Sequence, residues 1–268
     1  ILVINMRSPI KWVGGKSKSL KYLLPLIPPH EGYVEVFGGA GWLLFAKSPS
    51  KWEIINDLDE NLSNFWIILK EKEKEFIDSF KYEVISRSIF NNYKEIYKNK
   101  SYVDNVNKAH ILYYLLKAGT GASLPDGGGC GFGKSKGVSR LRLDKLSNDI
   151  AQAHNRLLKV TIECQDFREI ISYYDTENTF FYLDPPYRNT SRSSYPVGKF
   201  TDEDYTDLSN LCKNIKGKFL LSINDDEFIK YLFANFNITH INIPYSGSNQ
   251  KTGRENYPEL IISNYTIN

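Results

Sequence analysis

Short apolar runs that stop abruptly at polar or glycine-rich residues set the pattern of this chain. Tyr33-Val34-Glu35-Val36-Phe37 reads as a strand and meets Gly38-Gly39-Ala40-Gly41 at once. Trp52 to Ile55 runs into Asn56-Asp57, and Val160-Thr161-Ile162 runs into Glu163-Cys164-Gln165-Asp166-Phe167. Phe180-Phe181-Tyr182-Leu183 runs into Asp184-Pro185-Pro186-Tyr187. Lys218 to Ile223 is a further strand, and Asn237 to Ile243 with Glu259 to Tyr265 reads as a terminal strand pair. Between these runs the apolar spacing becomes helical: Leu20, Leu23, Leu24 and Ile27; Trp42 to Ala46; Leu62, Phe65, Trp66 and Leu69; then Leu146, Ile150, Ala153 and Leu157. Thr201 before Asp202-Glu203-Asp204 predicts a capped helix start. Strands alternating with helices predict an α/β fold around a mainly parallel sheet.

Such sheets take their ligands at the carboxyl ends of the strands. The paired prolines cannot continue a ladder, so the strand ending at Leu183 delivers Asp184 to that edge. One carboxylate, the Pro185 carbonyl and the flat face of Tyr187 suit a planar base that carries an amino group. The glycine turn after Phe37 lets a ligand approach the backbone. Asp57 follows Gly38 by 19 residues, about where dinucleotide-type folds hold ribose hydroxyls. Asp57 also suits the N-cap of the next helix, a role Asp59 or Asn61 could fill equally well. Phe167 offers a face for a purine. The Gly-Gly-Lys-Ser at 14–17 is no phosphate loop, because Ile10 stands where that motif needs a glycine.

Residues 70–118 carry charge-rich helical patterns, and residues 119–142 form a long glycine-rich loop. Lys134, Lys136, Arg140 and Arg142 follow within that loop and favour contact with a phosphate backbone over the alternative of a merely solvated basic loop. A net charge of +3 permits a polyanionic partner without requiring one, so the argument rests on where the cations sit. Hydrophobic content of 41% with 14% aromatic residues supports a large core. The three cysteines are scattered, which disfavours a disulfide framework or a zinc site and points to a reducing cytoplasm. The four histidines sit apart in ordinary contexts, so neither a metal centre nor a Ser-His-Asp arrangement is expected. No apolar run approaches the roughly 18 residues of a membrane span. The chemistry must therefore come from a reactive cosubstrate.

Four blocks in this order, Lys11-Trp12-Val13-Gly14-Gly15-Lys16, Glu35-Val36-Phe37-Gly38-Gly39-Ala40-Gly41, Asn56-Asp57 and Asp184-Pro185-Pro186-Tyr187, resemble the Dam-like DNA adenine methyltransferases. The resemblance implies a Rossmann-like class I methyltransferase core over residues 1–69 and 143–268, with a mainly helical DNA-recognition insert over 70–142. It implies S-adenosylmethionine across the strand ends: Trp12 and Lys16 on its methionine side, Phe37, Gly38, Gly39, Ala40 and Gly41 beneath it, Asp57 at the ribose, Asp166 and Phe167 near its adenine, and Asp184 also contacting it. The target adenine would be flipped out of double-stranded DNA. Asp184 and Pro185 would accept its two N–H bonds, with Pro186 stiffening the turn and Tyr187 stacking on the ring. Lys134, Lys136, Arg140, Arg188, Arg192, Lys251 and Arg254 are the candidate DNA contacts. A monomer in the cytoplasm of a bacterium, or encoded by a phage, is expected, with a cognate restriction endonuclease left open.

The insert departs from the relatives' pattern. Gly127–Gly133 stands where they carry an asparagine- and arginine-containing recognition segment, so no recognition sequence carries over. Rival readings are a methyltransferase acting on DNA cytosine, an RNA base or a protein glutamine, and a non-catalytic DNA-binding protein. Asp184 argues for adenine over the first group, and the intact motifs argue against the second. A dehydrogenase is disfavoured because the turn lacks the full Gly-x-Gly-x-x-Gly spacing.

Overall fold

The structure is a computed structural model that describes residues 6–12, 14–120, 124–125, 130–133, 141–189, 200–244 and 256–267. The apolar runs become β1 (Gly32–Glu35), β2 (Trp52–Asn56), β3 (Val160–Glu163), β4 (Thr179–Leu183), β5 (Lys218–Asn224), β6 (Asn237–Pro244) and β7 (Asn256–Ser263). They form one sheet in the order β3-β2-β1-β4-β5-β7-β6. The first five strands in that order pair in parallel, and β7 runs antiparallel to both β5 and β6. This is the Rossmann-like methyltransferase architecture that the motif order implies.

Side chains alternate across the sheet with period two, and each face buries its own apolar set. Tyr33, Ile55, Phe180, Tyr182, Leu220 and Ile261 face one cluster. It is completed by α2 (Trp42–Ala46), α3 (Glu60–Glu71), α6 (Asn105–Ala118) and α7 (Leu143–Leu157), which follow the short α1 (Leu20–Leu23). The helices α4 (Glu73–Ser79) and α5 (Arg87–Asn99) add Phe76, Phe90 and Tyr97 to the same core. Val34, Ile54, Phe181, Leu183, Phe219, Leu221 and Ile262 face the opposite cluster. There α8 (Phe167–Tyr174), α9 (Asp202–Asn214) and α10 (Glu227–Leu232) cover the sheet.

Helix ends follow local chemistry. The Asp59 carboxylate accepts the Asn61 and Leu62 amides at the start of α3, so Asp59 rather than Asp57 is its cap. Thr201 and Asp204 form a reciprocal capping box on α9. The first helix is shorter than its pattern, because Pro25 tightens Leu24–Leu26 into a 3-10 turn. β1 stops at Glu35 rather than Phe37, since Gly38 N–H turns to the Asn56 carbonyl at 2.7 Å. β7 begins earlier and ends at Ser263, where the Asn264 side chain turns to bridge Phe219 N–H and the Gly217 carbonyl. The helices α8 and α10, eight and six residues long, are additional to those expected.

Candidate active site

The carboxyl edge of the sheet gathers the polar residues that end the strands. Gly38 passes so close to β2 that a Cβ there would lie 2.6 Å from Ile55 Cγ1 and 2.9 Å from the Asn56 carbonyl oxygen. Only glycine lets the backbone lie that low. Gly39 and Gly41 take left-handed backbone angles, φ +50° and +63°, and Gly41 starts α2. Beside this turn the Asp57 carboxylate accepts Gly39 N–H at 2.8 Å and Asp59 N–H at 3.0 Å. Burial pushes its carboxyl up to about 6 despite those two bonds.

Asn56 ties three strand ends together. Its amide donates to the Val36 and Gln165 carbonyls, at 2.9 and 3.0 Å, and accepts Gln165 N–H at 2.9 Å. Beyond it, Asp166 caps α8 through Arg168 N–H and pairs with the Arg168 guanidinium. That guanidinium also reaches Asp204 and Asp207, and it lies 4.3 Å from the Phe167 ring centre. Phe167 packs against Phe37 and Phe200, with ring centres 5.7 and 5.4 Å away. Three aromatic rings thus line the side of the glycine turn facing α8 and α9.

On the other side of the same edge, Lys16 is buried and its ammonium is shared between two acids. It lies 3.0 Å from Asp184 Oδ1 and 3.4 Å from Glu259 Oε2, and it also bonds the Tyr187 hydroxyl. Its Nζ sits 4.4 Å from the Tyr187 ring centre. Burial alone would lower Lys16, but the two carboxylates outweigh it and hold the ammonium above its ordinary range. Asp184 Oδ1 also accepts from Ser222 Oγ at 3.3 Å, and Ser222 in turn pairs with the Tyr182 hydroxyl at 2.8 Å. Among the described residues no hydrogen bond reaches Asp184 Oδ2 or the Pro185 carbonyl. The Pro186 carbonyl accepts from Tyr205 at 2.5 Å, which fixes the turn against α9. Burial raises Asp184 to about 6, with Lys16 opposing and Glu259 adding to the rise. Behind it the buried Glu35 accepts from the Tyr33 hydroxyl and Leu44 N–H, and burial pushes it up to about 7.

Trp12, Lys16, Phe37 to Gly41, Asp57, Asp166, Phe167 and Asp184 to Tyr187 therefore lie along one sheet edge. Trp12 is brought in by its own loop: its side chain would lie 3.0 Å from a Cβ on Gly39. Arg188 is engaged internally, paired with Asp202 at 2.8 Å and Asp226 at 3.2 Å and lying over Phe228. Lys134, Lys136, Arg140, Arg192, Lys251 and Arg254 lie outside the described residues. Sequence reasoning missed Tyr182, Ser222, Glu259, Asn56 as a tie, and Phe200. The one signal for the first two was a hydroxyl within an apolar run, Tyr182 after Phe180-Phe181 and Ser222 after Leu220-Leu221. Among the described residues no His, Cys, Asp or Glu cluster is arranged to hold a metal ion, and no helix is long and apolar enough to cross a membrane.

A glycine turn after the first strand, an acid after the second and Asp-Pro-Pro-Tyr after the fourth, all on one parallel sheet edge, define a Rossmann-like methyltransferase. The chain belongs to the D12 class N6 adenine-specific DNA methyltransferase family, whose pattern matches residues 12–246. Its reaction is methylation of adenine N6 in DNA. It is similar to the Type II methyltransferase M1.LlaDCHI of Lactococcus lactis subsp. cremoris, 25% identical across 98% of this chain and 96% of that one. The Type II methyltransferase M.CviBI of Paramecium bursaria Chlorella virus NC1A is 27% identical across 97% and 100%. The Type II methyltransferase M.MjaIII of Methanocaldococcus jannaschii is 29% identical across 96% and 98%.

Proposed function

We propose that Asp184, the Pro185 carbonyl and Tyr187 receive an adenine flipped out of double-stranded DNA, beside S-adenosylmethionine lying along the glycine turn. The observation that carries this reading is the division of the Asp184 carboxylate. Lys16 and Ser222 hold Oδ1, which leaves Oδ2 to accept one N–H of the amine while the Pro185 carbonyl accepts the other. With both hydrogens directed at acceptors, the nitrogen lone pair turns out of the ring. Positive charge then develops on that nitrogen beside a fixed carboxylate, an arrangement worth about 3–4 kcal/mol for a single preorganised group. Tyr187 stacks on the base, and Tyr205 holds the turn through the Pro186 carbonyl.

The residues at the edge fit the cosubstrate. Gly38 seats the turn low against β2, Asp57 offers a carboxylate for ribose hydroxyls, and Phe37, Phe167 and Phe200 offer apolar faces for a purine. Bound there, S-adenosylmethionine supplies a methyl group on a sulfonium. Residues 70–142 serve as the target-recognition insert, with Lys134, Lys136 and Arg140 on the phosphate backbone. Arg192, Lys251 and Arg254 also contact the backbone. The protein acts as a monomer, and the Type II naming of its relatives supports a restriction endonuclease as its counterpart.

The test is mass spectrometry of nucleosides from unmethylated DNA incubated with protein and S-adenosylmethionine, beside Asp184→Ala. Methyladenine that disappears in the variant is expected. Methyladenine that persists there would remove Asp184 from the chemistry, and methylcytosine would replace the substrate.

A further inference from the structure

We propose that Glu259 selects the charged methyl donor over its neutral product, a role that rests on the cosubstrate reading above. One ammonium serves two carboxylates at this corner, Lys16 between Asp184 and Glu259. Among the described residues no second cation pairs with either acid. Glu35, a buried carboxyl close enough to feel Asp184, spends its bonds on Tyr33 and Leu44. The trio therefore carries a formal charge of −1 in a half-buried setting, with the acid side chains 18% and 14% exposed and the lysine 5%. Such a charge persists only if a cation completes it or water reaches it.

The topology explains how the second acid comes here. β7 enters the sheet antiparallel, so its early residues lie at the edge where the parallel strands end. Glu259 is paired with Asn224 at the end of β5. A parallel strand in that place would bring its last residues here instead.

The reaction changes the charge of what the site holds. The donor carries a sulfonium, an ammonium and a carboxylate, net +1. Methyl transfer breaks the C–S bond, the pair stays on sulfur, and the new N–C bond forms on the amine, which then sheds a proton. The thioether left behind is net neutral. Glu259 thus offers an attraction that the donor feels and the product loses, favouring loading and release in turn. Asp184 alone would be neutralised by Lys16.

The experiment is calorimetric titration of wild type, Glu259→Gln and Glu259→Asp with three ligands. These are S-adenosylmethionine, S-adenosylhomocysteine, and an analogue with an ammonium in place of the sulfonium. Wild type should bind both cationic ligands better than the thioether. In E259Q, which keeps a carbonyl oxygen for Lys16, affinity for the cationic pair should fall by about tenfold while the thioether stays within about twofold, as expected for one removed charge at intermediate dielectric. E259D should keep the wild-type ratio. Equal losses for all three ligands in E259Q, an unchanged ratio, or a ratio lost equally in E259D would overturn the assignment. A wild type that favours the thioether would do so without any variant. A wild type that binds none of the three overturns the cosubstrate reading together with this one, which sets that failure apart.

Discussion

Two ion clusters, one buried and one half-buried, stand at opposite ends of the same sheet, and their compositions are inverted. Near the start of β2, Glu53 lies between two cations, Lys47 at 2.5 Å and Arg156 at 2.5 Å. It also accepts Ser50 N–H, while Arg156 bonds the Leu44 carbonyl. At the carboxyl edge, one cation lies between two acids. Burial opposes ionisation in both places, yet the outcomes differ. Arg156 and Lys47 overcome burial and hold Glu53 below the ordinary carboxylate range. Asp184 has one cation to share and is pushed up to about 6. A carboxylate saturated with donors belongs to the fold, and one left an unfilled oxygen is available to a ligand.

That contrast is broken most sharply by removing each central acid. Asp184→Ala should lower methyl transfer by about 10³-fold, the scale of losing a preorganised charge-stabilising group, with little change in urea midpoint. Glu53→Ala should do the reverse: a loss of about 3–5 kcal/mol in urea unfolding, because Lys47 and Arg156 are left buried and uncompensated. Its activity per folded molecule should hold. If E53A abolished catalysis in fully folded protein, the division between the two clusters would fail.

The pH response sharpens the comparison. Asp184 acts as a carboxylate, so kcat/KM should rise about tenfold per pH unit up to about 6 and then level, since its carboxyl sits at about 6. Stability runs the other way for this group. Its folded value exceeds the ordinary value of about 3.9, so the folded state binds the extra proton between those limits. The group's stabilisation is full below about pH 4 and is lost as pH rises through about 6. Urea unfolding of wild type against Asp184→Asn across that window isolates the difference. A pH profile flat from 5 to 7 would show that Asp184 ionises as an ordinary surface acid.

Smaller effects should follow from the second contacts. Ser222→Ala frees one side of Asp184 Oδ1 and leaves the buried Tyr182 hydroxyl unpaired, so kcat should fall by severalfold and stability by about 1 kcal/mol. Steady-state kinetics and urea unfolding together would separate the two. Arg188→Gln should change salt-dependent DNA affinity least, because its guanidinium is already paired with Asp202 and Asp226. A large loss of the salt slope in that variant would show that Arg188 leaves those acids for phosphate.

The parts of the site that follow strands in sequence were legible because each obeys local rules. A run of apolar residues ended by Pro185-Pro186 must put Asp184 at a strand terminus, and Gly38 to Gly41 after β1 must form a turn. The order of those motifs carried the family and the reaction. Even the choice of helix cap was left open only between near neighbours, and Asp59 took it. The helix α8 carries a helical spacing at Phe167, Ile170, Ile171 and Tyr174, but it follows a strand end so closely that Phe167 reads as part of the turn, and six-residue α10 carries too few turns for a period to emerge.

What tertiary structure alone decided is which distant residues share a charge. Lys16 and Glu259 stand 243 positions apart, and nothing in either neighbourhood names the other. Their meeting depends on β7 entering the sheet antiparallel between β5 and β6. Ser222 and Tyr182 read as strand residues, and only the pairing of β4 with β5 turns their hydroxyls into a support for Asp184. Local sequence specifies where a chain must stop or turn, through sterics that act within a few residues. Electrostatic sharing acts through space and is settled only when the sheet is assembled.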